Sequence, residues 1–413
     1  MKKSLIILLI YLIPLFSQQL KWVYTYNGSK DSADAARKII FGDGNLYIGG
    51  HTTNILQQTD ITVICLDTLG NQKWVYVYPY PGRDYLNDMV YKNGKIYITG
   101  SLESEGVLIV ICLDSLGNSK WNYIYDTQNN DAGYSIIYGI DKNLYIAGRC
   151  SSQFTVISID TLGNLRWKKS YPASTGGNSA NYLTQDENAN IYVSGIYESD
   201  LFLVKLDNLG NEKWTYKYST SLADGGGKII YGYDKNLYLI GTVLSTEGLV
   251  LSLDTLGNEK WLYFFIGPNS YSNSSGFSSI ILSPDGNLYF SGWAGYAPWY
   301  SGWFTMSMSN SGIWRWSYYK TIVGKCIETL WKEDGSLYSL GIESFKITLR
   351  KISSINGEEI WTYQYTQSSR SDGNSMELKG NKIYIAGSQG IFTTQDILVI
   401  CIEDMSKFYK GEK

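Results

Sequence analysis

Histidine, a common residue for acid–base catalysis and metal binding, occurs once in this chain of 413 residues, at His51. A zinc or copper site built from several histidines is therefore excluded by composition. A Ser-His-Asp triad would have to use His51, and no nucleophile-elbow motif lies near it in the sequence. We interpret His51 as a solvated loop residue and expect no catalytic centre around it.

Five aspartates recur at or close to one position, five residues before an apolar pair, in segments rich in Gly, Asn and Ser. They are Asp34, Asp84, Asp131, Asp224 and Asp372. If their loops meet at one end of a channel, the five carboxylates would form a calcium site or receive a cationic ligand. The alternative is that each Asp only shapes its own turn, as Asp commonly does in loops. We favour the alternative.

One segment concentrates aromatic side chains between small residues. The stretch from residue 293 to residue 303 contains Trp293, Tyr296, Trp299, Tyr300 and Trp303. Aromatic rings of this kind stack on sugar rings or anchor a protein partner. The alternative is that the segment folds onto its own structural unit, because so much aromatic area is rarely left exposed. The segment is our candidate ligand-binding loop.

A repeat of about 48 residues must position these side chains. The phrase Leu-Asp-x-Leu-Gly-Asn-x-Lys-Trp occurs at Leu66–Trp74, Leu113–Trp121, Leu206–Trp214 and Leu253–Trp261, with a variant at Ile159–Trp167. Trp22, Trp316 and Trp361 mark three further copies. Each copy contains four strand-like runs, as in Trp121–Tyr125, Ser135–Tyr138, Asn143–Gly148 and Thr155–Asp160.

The repeat predicts an all-β fold, an eight-bladed β-propeller of four-stranded antiparallel blades with tryptophan-docking turns. The first strand-like run contains Trp22 and the last is Ile397–Glu403. Trp22 has no preceding turn of the repeat type, and Glu403 has no following Trp. We therefore expect the two ends of the chain to meet, with Trp22 near Glu403, and to close the ring.

The repeat resembles two related families over residues 20–404. One is the SBBP-type β-propeller repeat, and the other is the PQQ-like (quinoprotein-type) propeller; Asp114–Trp121 matches the turn motif of either. The resemblance implies that each motif Trp docks between adjacent blades. Quinoprotein dehydrogenases also carry two adjacent cysteines over the cofactor, and this chain has no such pair. We therefore do not expect bound PQQ, and expect no cofactor apart from the calcium considered above.

The N-terminus has the pattern of a secretory signal peptide. Lys2 and Lys3 precede an apolar run from Leu5 to Phe16, and polar residues follow it up to residue 19. We predict a signal peptide at 1–19, a propeller domain at 20–404 and a C-terminal tail at 405–413. The alternative is an uncleaved anchor, although the apolar run is short for a membrane span.

Composition bears on the partners. The formal net charge of −3 gives no electrostatic case for nucleic acid. The five cysteines occupy repeat positions that are too far apart for disulfides, so we predict five free thiols.

We expect a secreted or periplasmic monomer without a membrane span in the mature chain. Its predicted function is a non-catalytic binding or assembly scaffold that recognises a protein or glycan of the cell envelope through one face of the ring. The alternative is an extracellular carbohydrate-binding protein or polysaccharide-acting enzyme, which would use two rim carboxylates beside the aromatic loop.

Overall fold

The computed structural model describes residues 18–102, 106–174, 177–243, 247–266, 274–295, 301–321, 323–391 and 394–406. The predicted signal peptide lies outside these residues except for Gln18 and Gln19, which already belong to the first strand. Residues 407–413 of the predicted tail also lie outside them.

The described residues form 32 β-strands. The first eight are β1 (Gln18–Tyr26), β2 (Ala35–Gly42), β3 (Asn45–Thr53), β4 (Thr59–Asp67), β5 (Gln72–Val77), β6 (Asp84–Lys92), β7 (Lys95–Leu102) and β8 (Val107–Asp114). The next eight are β9 (Ser119–Tyr125), β10 (Ala132–Tyr138), β11 (Leu144–Cys150), β12 (Gln153–Ile159), β13 (Leu165–Tyr171), β14 (Ser179–Gln185), β15 (Ile191–Tyr197) and β16 (Asp200–Leu206). The third eight are β17 (Glu212–Tyr218), β18 (Gly225–Tyr231), β19 (Asn236–Val243), β20 (Glu247–Asp254), β21 (Glu259–Phe265), β22 (Ser274–Leu282), β23 (Asn287–Gly295) and β24 (Ser301–Ser309). The last eight are β25 (Trp314–Lys320), β26 (Gly324–Lys332), β27 (Ser336–Glu343), β28 (Lys346–Ser353), β29 (Glu359–Gln364), β30 (Ser371–Lys379), β31 (Lys382–Ile391) and β32 (Thr394–Asp404).

Hydrogen bonding divides these strands into eight antiparallel sheets of four, which are the blades of a propeller. Blade 1 is β2–β5, blade 2 is β6–β9, and the pattern continues to blade 7, β26–β29; blade 8 is β30–β31–β32–β1. The first strand of every blade contacts the first strands of both neighbouring blades, so these eight strands surround the central channel. The predicted eight-bladed propeller is confirmed.

The sequence repeat and the structural blade differ by one strand. The strand with Trp121, β9, pairs with β8 of the preceding blade, whereas β12, the last of the three strands that follow, pairs with β13. The difference follows from the Asp-x-Leu-Gly-Asn turn, which joins two neighbouring strands of one sheet as a hairpin. The Trp that follows the turn therefore belongs to the blade that the turn closes, and not to the next one.

The two chain ends meet as predicted, because β1 pairs with β32. Gln19 lies opposite Glu403 and Trp22 opposite Cys401, and Lys21 forms a salt bridge of 2.9 Å with Glu403. The indole of Trp22, however, does not dock on Glu403. Its N–H donates to the Thr68 carbonyl in blade 1, at 3.2 Å.

The same docking contact recurs around the ring, as the resemblance implied. In seven of the eight copies the indole N–H donates, at 3.0 to 3.2 Å, to a carbonyl in the outer turn of the next blade. The indoles are those of Trp22, Trp74, Trp121, Trp167, Trp214, Trp261 and Trp316. Each also faces a buried Tyr of its own blade, as in the pair Tyr47–Trp74 with ring centroids 5.9 Å apart. These contacts join successive blades, so the repeated phrase is explained by packing.

The two faces of the ring carry different connections. The upper face, as we define it, carries two kinds of loop. One kind links one blade to the next, such as 27–34, and the other joins the second and third strands of a blade, such as 54–58. We call lower the face with the two remaining turns of each blade, such as 43–44 and 68–71. The core lies between blades, and all five cysteines are buried there as free thiols, as predicted.

Candidate functional site

The upper face holds the five predicted acids and the aromatic segment. Asp34 is fully buried, and it fixes the loop that leads into blade 1. Its carboxylate accepts the backbone N–H of Gly28 at 2.5 Å and that of Thr53 at 2.6 Å. Burial raises the pKa of Asp34 to about 6, although these hydrogen bonds oppose the shift. The carboxylate therefore has a sufficient role inside its own loop.

Two other acids repeat this arrangement. Asp131 accepts the Thr127 hydroxyl at 2.7 Å and the Ser151 N–H at 2.9 Å. Asp224 accepts the Thr220 N–H at 2.6 Å. Both side chains are buried. The Asp131 carboxylate thus ties its loop to blade 3, and the Asp224 carboxylate closes its own loop, which is the turn-shaping role favoured from the sequence.

Asp84 and Asp372 differ from these three. Asp372 is partly exposed and forms a salt bridge with Arg370 at 3.4 Å. Asp84 is fully buried, and neither of its oxygens accepts a hydrogen bond from a described residue. The loop before Asp84 contains Pro79 and Pro81, which have no N–H to donate. Burial, and secondarily the Asp60 carboxylate, raises the pKa of Asp84 to about 7.

The five acids therefore do not form one ring of ligands in the described part of the chain. Among the described residues no group of three or more His, Cys, Asp or Glu side chains is arranged to hold a metal ion. Calcium binding at these carboxylates stays a prediction.

His51 is not a solvated loop residue, so that interpretation is wrong. It lies in β3, is 9% exposed, and packs edge-on against Tyr85 with ring centroids 5.4 Å apart. Burial, and secondarily the positive charge of Arg37, lowers the pKa of His51 to about 4. A neutral histidine in the core follows, because the charged form would be desolvated.

The loop within the aromatic segment is shorter than the sequence indicated, because both ends of the segment belong to strands. Trp293 belongs to β23 and Trp303 to β24, and the two lie directly opposite each other in the strand pairing. Trp303 is fully buried, whereas Trp293 is partly exposed and lies against Gly276. Trp303 therefore has no surface for a ligand. Tyr296, Trp299 and Tyr300 lie outside the described residues.

An unexpected basic residue explains the burial of Trp303. The guanidinium of Arg350, also fully buried, lies 4.4 Å from the centroid of the Trp303 ring. Arg350 forms salt bridges with Glu343 and Glu359. The other blades have Ile, Val, Leu or Met at this position of the third strand, for example Ile64 in blade 1. That exception was visible in the sequence, but its partners come from other strands and were not.

The upper face also exposes aliphatic side chains beside the seam that closes the ring. Ile55 and Leu56, at the tip of loop 54–58, are 72% and 71% exposed. Ile391, at the end of the hairpin strand β31 in the adjacent blade 8, is 60% exposed. The backbone N–H of Asp34 bonds the Gln395 carbonyl at 2.8 Å and links these two blades.

Comparison with known proteins defines the fold class and no more. No protein-family model and no curated protein sequence matches the chain. A solved structure described as the Dos1 propeller has a TM-score of 0.64 and 13% identity, over 94% of this chain and 95% of that one. A structure of PorZ, a surface component of the type-IX secretion system of Porphyromonas gingivalis, has a TM-score of 0.49 and 10% identity, over 91% of this chain and 57% of that one.

The chain is thus an eight-bladed β-propeller, similar in fold to the Dos1 propeller. No helix among the described residues is long and apolar enough to span a bilayer. A propeller fold hosts many unrelated functions, so function must be argued from the faces of this ring.

Proposed function

We propose that this chain is a non-catalytic, extracytoplasmic binding or assembly scaffold that recognises a protein of the cell envelope through its upper face. One observation carries the proposal: the lower-face turns have two to five residues, as in 43–44 and 139–143, whereas upper-face connections between blades reach eight residues, as in 27–34. The longest connections of the described chain therefore lie on the upper face. Long loops on a rigid scaffold are the usual place of recognition.

The exposed aliphatic side chains suit a protein partner. Ile55, Leu56 and Ile391 project from loops of adjacent blades, and apolar side chains at the centre of an interface lose water when a partner covers them. The five predicted acids, in contrast, are mostly buried in their own loops. They offer no described pair of exposed carboxylates for glycoside hydrolysis, which favours a scaffold over an enzyme.

The predicted location and family complete the proposal. We infer that residues 1–19 include a cleaved signal peptide and that the mature chain is secreted or periplasmic. Because Gln18 and Gln19 pair with Asp404 and Glu403, cleavage before Gln18 would preserve the whole of β1. We assign the repeat to the SBBP-type or PQQ-like propellers on the turn motif alone.

A second candidate function is glycan binding at blade 6. The partly exposed indole of Trp293 favours it, because a sugar ring can stack on an exposed aromatic face. Tyr296, Trp299 and Tyr300 follow in the same connection.

The test compares one upper-face variant with one lower-face variant of the mature chain. Ile55→Ser with Leu56→Ser removes the exposed upper tip; Leu116→Ser with Leu162→Ser removes equally exposed side chains, 73% and 71%, from lower turns. We expect the wild type and the lower-face variant to cross-link the same envelope protein, and the upper-face variant to lose it. Equal cross-linking by all three proteins would refute the proposal. Binding on a glycan array that Trp293→Ala abolishes would favour the second function instead.

N-terminal sequencing of the protein purified from its native cells tests the location. We expect a mature N-terminus between residues 18 and 20, recovered outside the cytoplasm. A chain that retains Met1 in the cytoplasm would overturn that part of the proposal.

A further inference from the structure

Packing explains the Asp, the Gly and the Trp of the repeated phrase, but not its second Leu. In the outer turn of blade 2 the Asp114 carboxylate accepts the backbone N–H of Leu116 at 3.0 Å, and Gly117 lies against the indole of Trp74. The side chain of Leu116 takes no part in these contacts and is exposed. A polar side chain would suit such a turn equally well, so the apolar residue needs another explanation.

Every outer turn of the described chain exposes one aliphatic side chain in this way. We call the seven residues the lower ring and their side chains its tips. They are Leu69, Leu116, Leu162, Leu209, Leu256, Ile313 and Ile355, and they are 65% to 80% exposed. Blade 8 has no outer turn, because its last two strands, β32 and β1, come from opposite ends of the chain.

The two irregular blades keep an exposed aliphatic residue although they have lost the repeated phrase. In blade 6 Ser311 occupies the place of the Leu, and Ile313, two residues later in the same turn, is exposed instead. The turn of blade 7 is one residue longer, and it exposes Ile355. Simple copying of one turn sequence does not account for these two residues, whereas a requirement for an apolar tip in each of these blades does.

The lower ring lies at one level of the molecule. Its turns all join the third and fourth strands of a blade, and equivalent positions in blades arranged around one axis lie at the same height. Each tip projects from a tight hairpin, so no loop has to become ordered on contact. Two further apolar side chains, Ile140 and Tyr233, are exposed in the inner turns of the same face. The lower face therefore presents a level set of separate apolar tips.

The area of the tips argues against a protein as the occupant of the lower ring. One exposed aliphatic side chain offers roughly 100 Å², whereas a stable protein interface buries about 800 Å² on each partner. A partner that covered one or two tips would bury too little, and a partner that covered all seven would have to match a ring as wide as the propeller. A second copy of this chain, stacked face to face, would bring tips against tips, and seven similar turns fix no single rotation between two rings.

The charges between the tips are balanced. Each of the five regular turns holds one Asp and one Lys or Arg, as in the ion pairs of Asp114 with Lys120 at 2.8 Å and of Asp207 with Lys213 at 2.9 Å. The net charge of the whole chain is −3. These regular turns therefore have no excess of positive charge that would attract an anionic surface, and contact through the ring depends on apolar area.

We propose that the lower ring attaches the protein reversibly to the surface of a lipid bilayer. A bilayer is level and fluid and fixes no rotation, so all seven tips enter the boundary between headgroups and acyl chains together. The Asp, Asn and Lys side chains between the tips stay hydrated among the headgroups. Tyr233 is of the amphipathic kind that favours this boundary. The upper face then points away from the bilayer, where the partner of the proposed scaffold function is accessible.

The test is co-sedimentation of the mature protein with phosphatidylcholine vesicles. We expect half of the protein to be bound at or below about 1 mM lipid. Leu116→Ser with Leu162→Ser should need at least about fivefold more lipid, because two tips no longer enter the boundary. The matched control is Ile55→Ser with Leu56→Ser, which removes two equally exposed side chains of the upper face and should bind like the wild type.

Two results of this experiment would overturn the proposal. One is the absence of binding up to about 5 mM lipid, and the other is equal binding by the two double variants. Because binding depends on apolar area, about 0.5 M NaCl should not release the protein. Binding that requires anionic phosphatidylglycerol and is lost in salt would also contradict the lower ring.

A labelled cysteine identifies the face that touches the lipid. All five native thiols are buried, so a cysteine introduced at an exposed position reacts selectively. The dye NBD on Leu256→Cys should become brighter and shift its emission to shorter wavelength when vesicles are added, and the same dye on Ile55→Cys should not respond. An unchanged emission at Leu256→Cys would refute the proposal, whatever the response at Ile55→Cys.

Light scattering without lipid tests the other occupant, a second copy of this chain. We expect a monomer for the wild type and for both double variants. A wild-type dimer that Leu116→Ser with Leu162→Ser dissociates would assign the lower ring to self-association and overturn the lipid proposal. The two double variants also separate this inference from the scaffold function. The lower-face variant should lose vesicle binding and keep its cross-link to the envelope protein, and the upper-face variant should do the reverse.

Discussion

The indole of Trp22 lies so close to Gly70 that a Cβ added at Gly70 would be 2.8 Å from ring atom Cδ2. Gly70 also has a φ of +89°, in the left-handed region. Glycine is therefore required at this turn for two independent reasons: the left-handed backbone conformation and the close approach of the Trp from the neighbouring blade. The same double requirement holds at the outer turn of six other blades, for example at Gly117 against Trp74.

Replacement of Gly117 by Ala should separate these two requirements. An added Cβ would be 2.7 Å from Trp74, whereas at Gly94, where φ is similarly positive, it would meet nothing within 4 Å. Gly94→Ala should cost about 1 kcal/mol for backbone strain. Gly117→Ala should cost a further 1–3 kcal/mol, approximately, for the overlap with the indole. Urea unfolding measures both losses, and equal losses would show that the docking contact has no role in this glycine.

Asp84 makes stability depend on pH. Its pKa is raised from 3.8 to about 7 because it is buried without a hydrogen-bond donor. Between pH 3.8 and about 7 the folded chain therefore keeps a proton that the unfolded chain has lost. The contribution of this proton to the free energy of unfolding is complete below pH 3.8 and disappears as pH rises through about 7. Asp84→Asn keeps the shape and has no charge to bury. It should stabilise the protein at pH 8 relative to the wild type by about 2–4 kcal/mol, since one pKa unit is about 1.4 kcal/mol.

The control for that prediction is Asp131→Asn. Asp131 accepts hydrogen bonds from Thr127 and Ser151, so loss of its charge should destabilise the protein at neutral pH. Thermal unfolding from pH 5 to pH 8 compares the two variants. A loss of stability at pH 8 in Asp84→Asn would contradict the assignment of an unsatisfied buried carboxylate.

A buried ion pair occupies the place of the missing eighth docking contact. Trp361 has no acceptor for its indole N–H among the described residues. Beside it, Lys351 of blade 7 forms a salt bridge of 2.7 Å with Asp404, at the end of β32 in blade 8, and both residues are buried. Burial alone would raise the pKa of Asp404, but hydrogen bonds from Lys351, Ser406 and Tyr338 outweigh it and hold the pKa at about 2.

Lys351→Met should therefore cost about 3–5 kcal/mol, because it leaves a buried carboxylate without its cation. Adding Asp404→Asn should recover part of that loss. Since the pKa of Asp404 is lowered, its contribution is present above pH 3.8 and is lost as pH falls through about 2. Lys235→Met breaks an exposed pair with Glu187 and should leave stability close to that of the wild type, because water and salt screen exposed charges. Denaturant titrations of Lys351→Met, Asp404→Asn, their double variant and Lys235→Met test the pair. Additive losses of stability in the double variant would refute the coupling.

The sequence predicted the blade number, the ring closure and the packing role of the repeated phrase, because each depends on a periodic local pattern. The sequence analysis misplaced the blade boundary by one strand. The repeat spacing is the same whether the strand with the Trp ends one blade or begins the next. The sequence placed His51 in a loop because a single histidine has no periodic counterpart. The lower ring was not predicted, because a Leu in a repeated phrase is expected in the core until the turn that exposes it is known.

The two described tryptophans of the aromatic segment should respond differently to replacement. Trp303 is fully buried beneath Arg350, so Trp303→Ala should cost about 3–5 kcal/mol and leave a buried guanidinium without its aromatic neighbour. Trp293 is partly exposed at the partner position in β23, and Trp293→Ala should cost clearly less. Urea unfolding followed by circular dichroism measures the difference. If Trp293→Ala were the more destabilising of the two, Trp293 would be a core residue, and its use as a probe of glycan binding would have no basis.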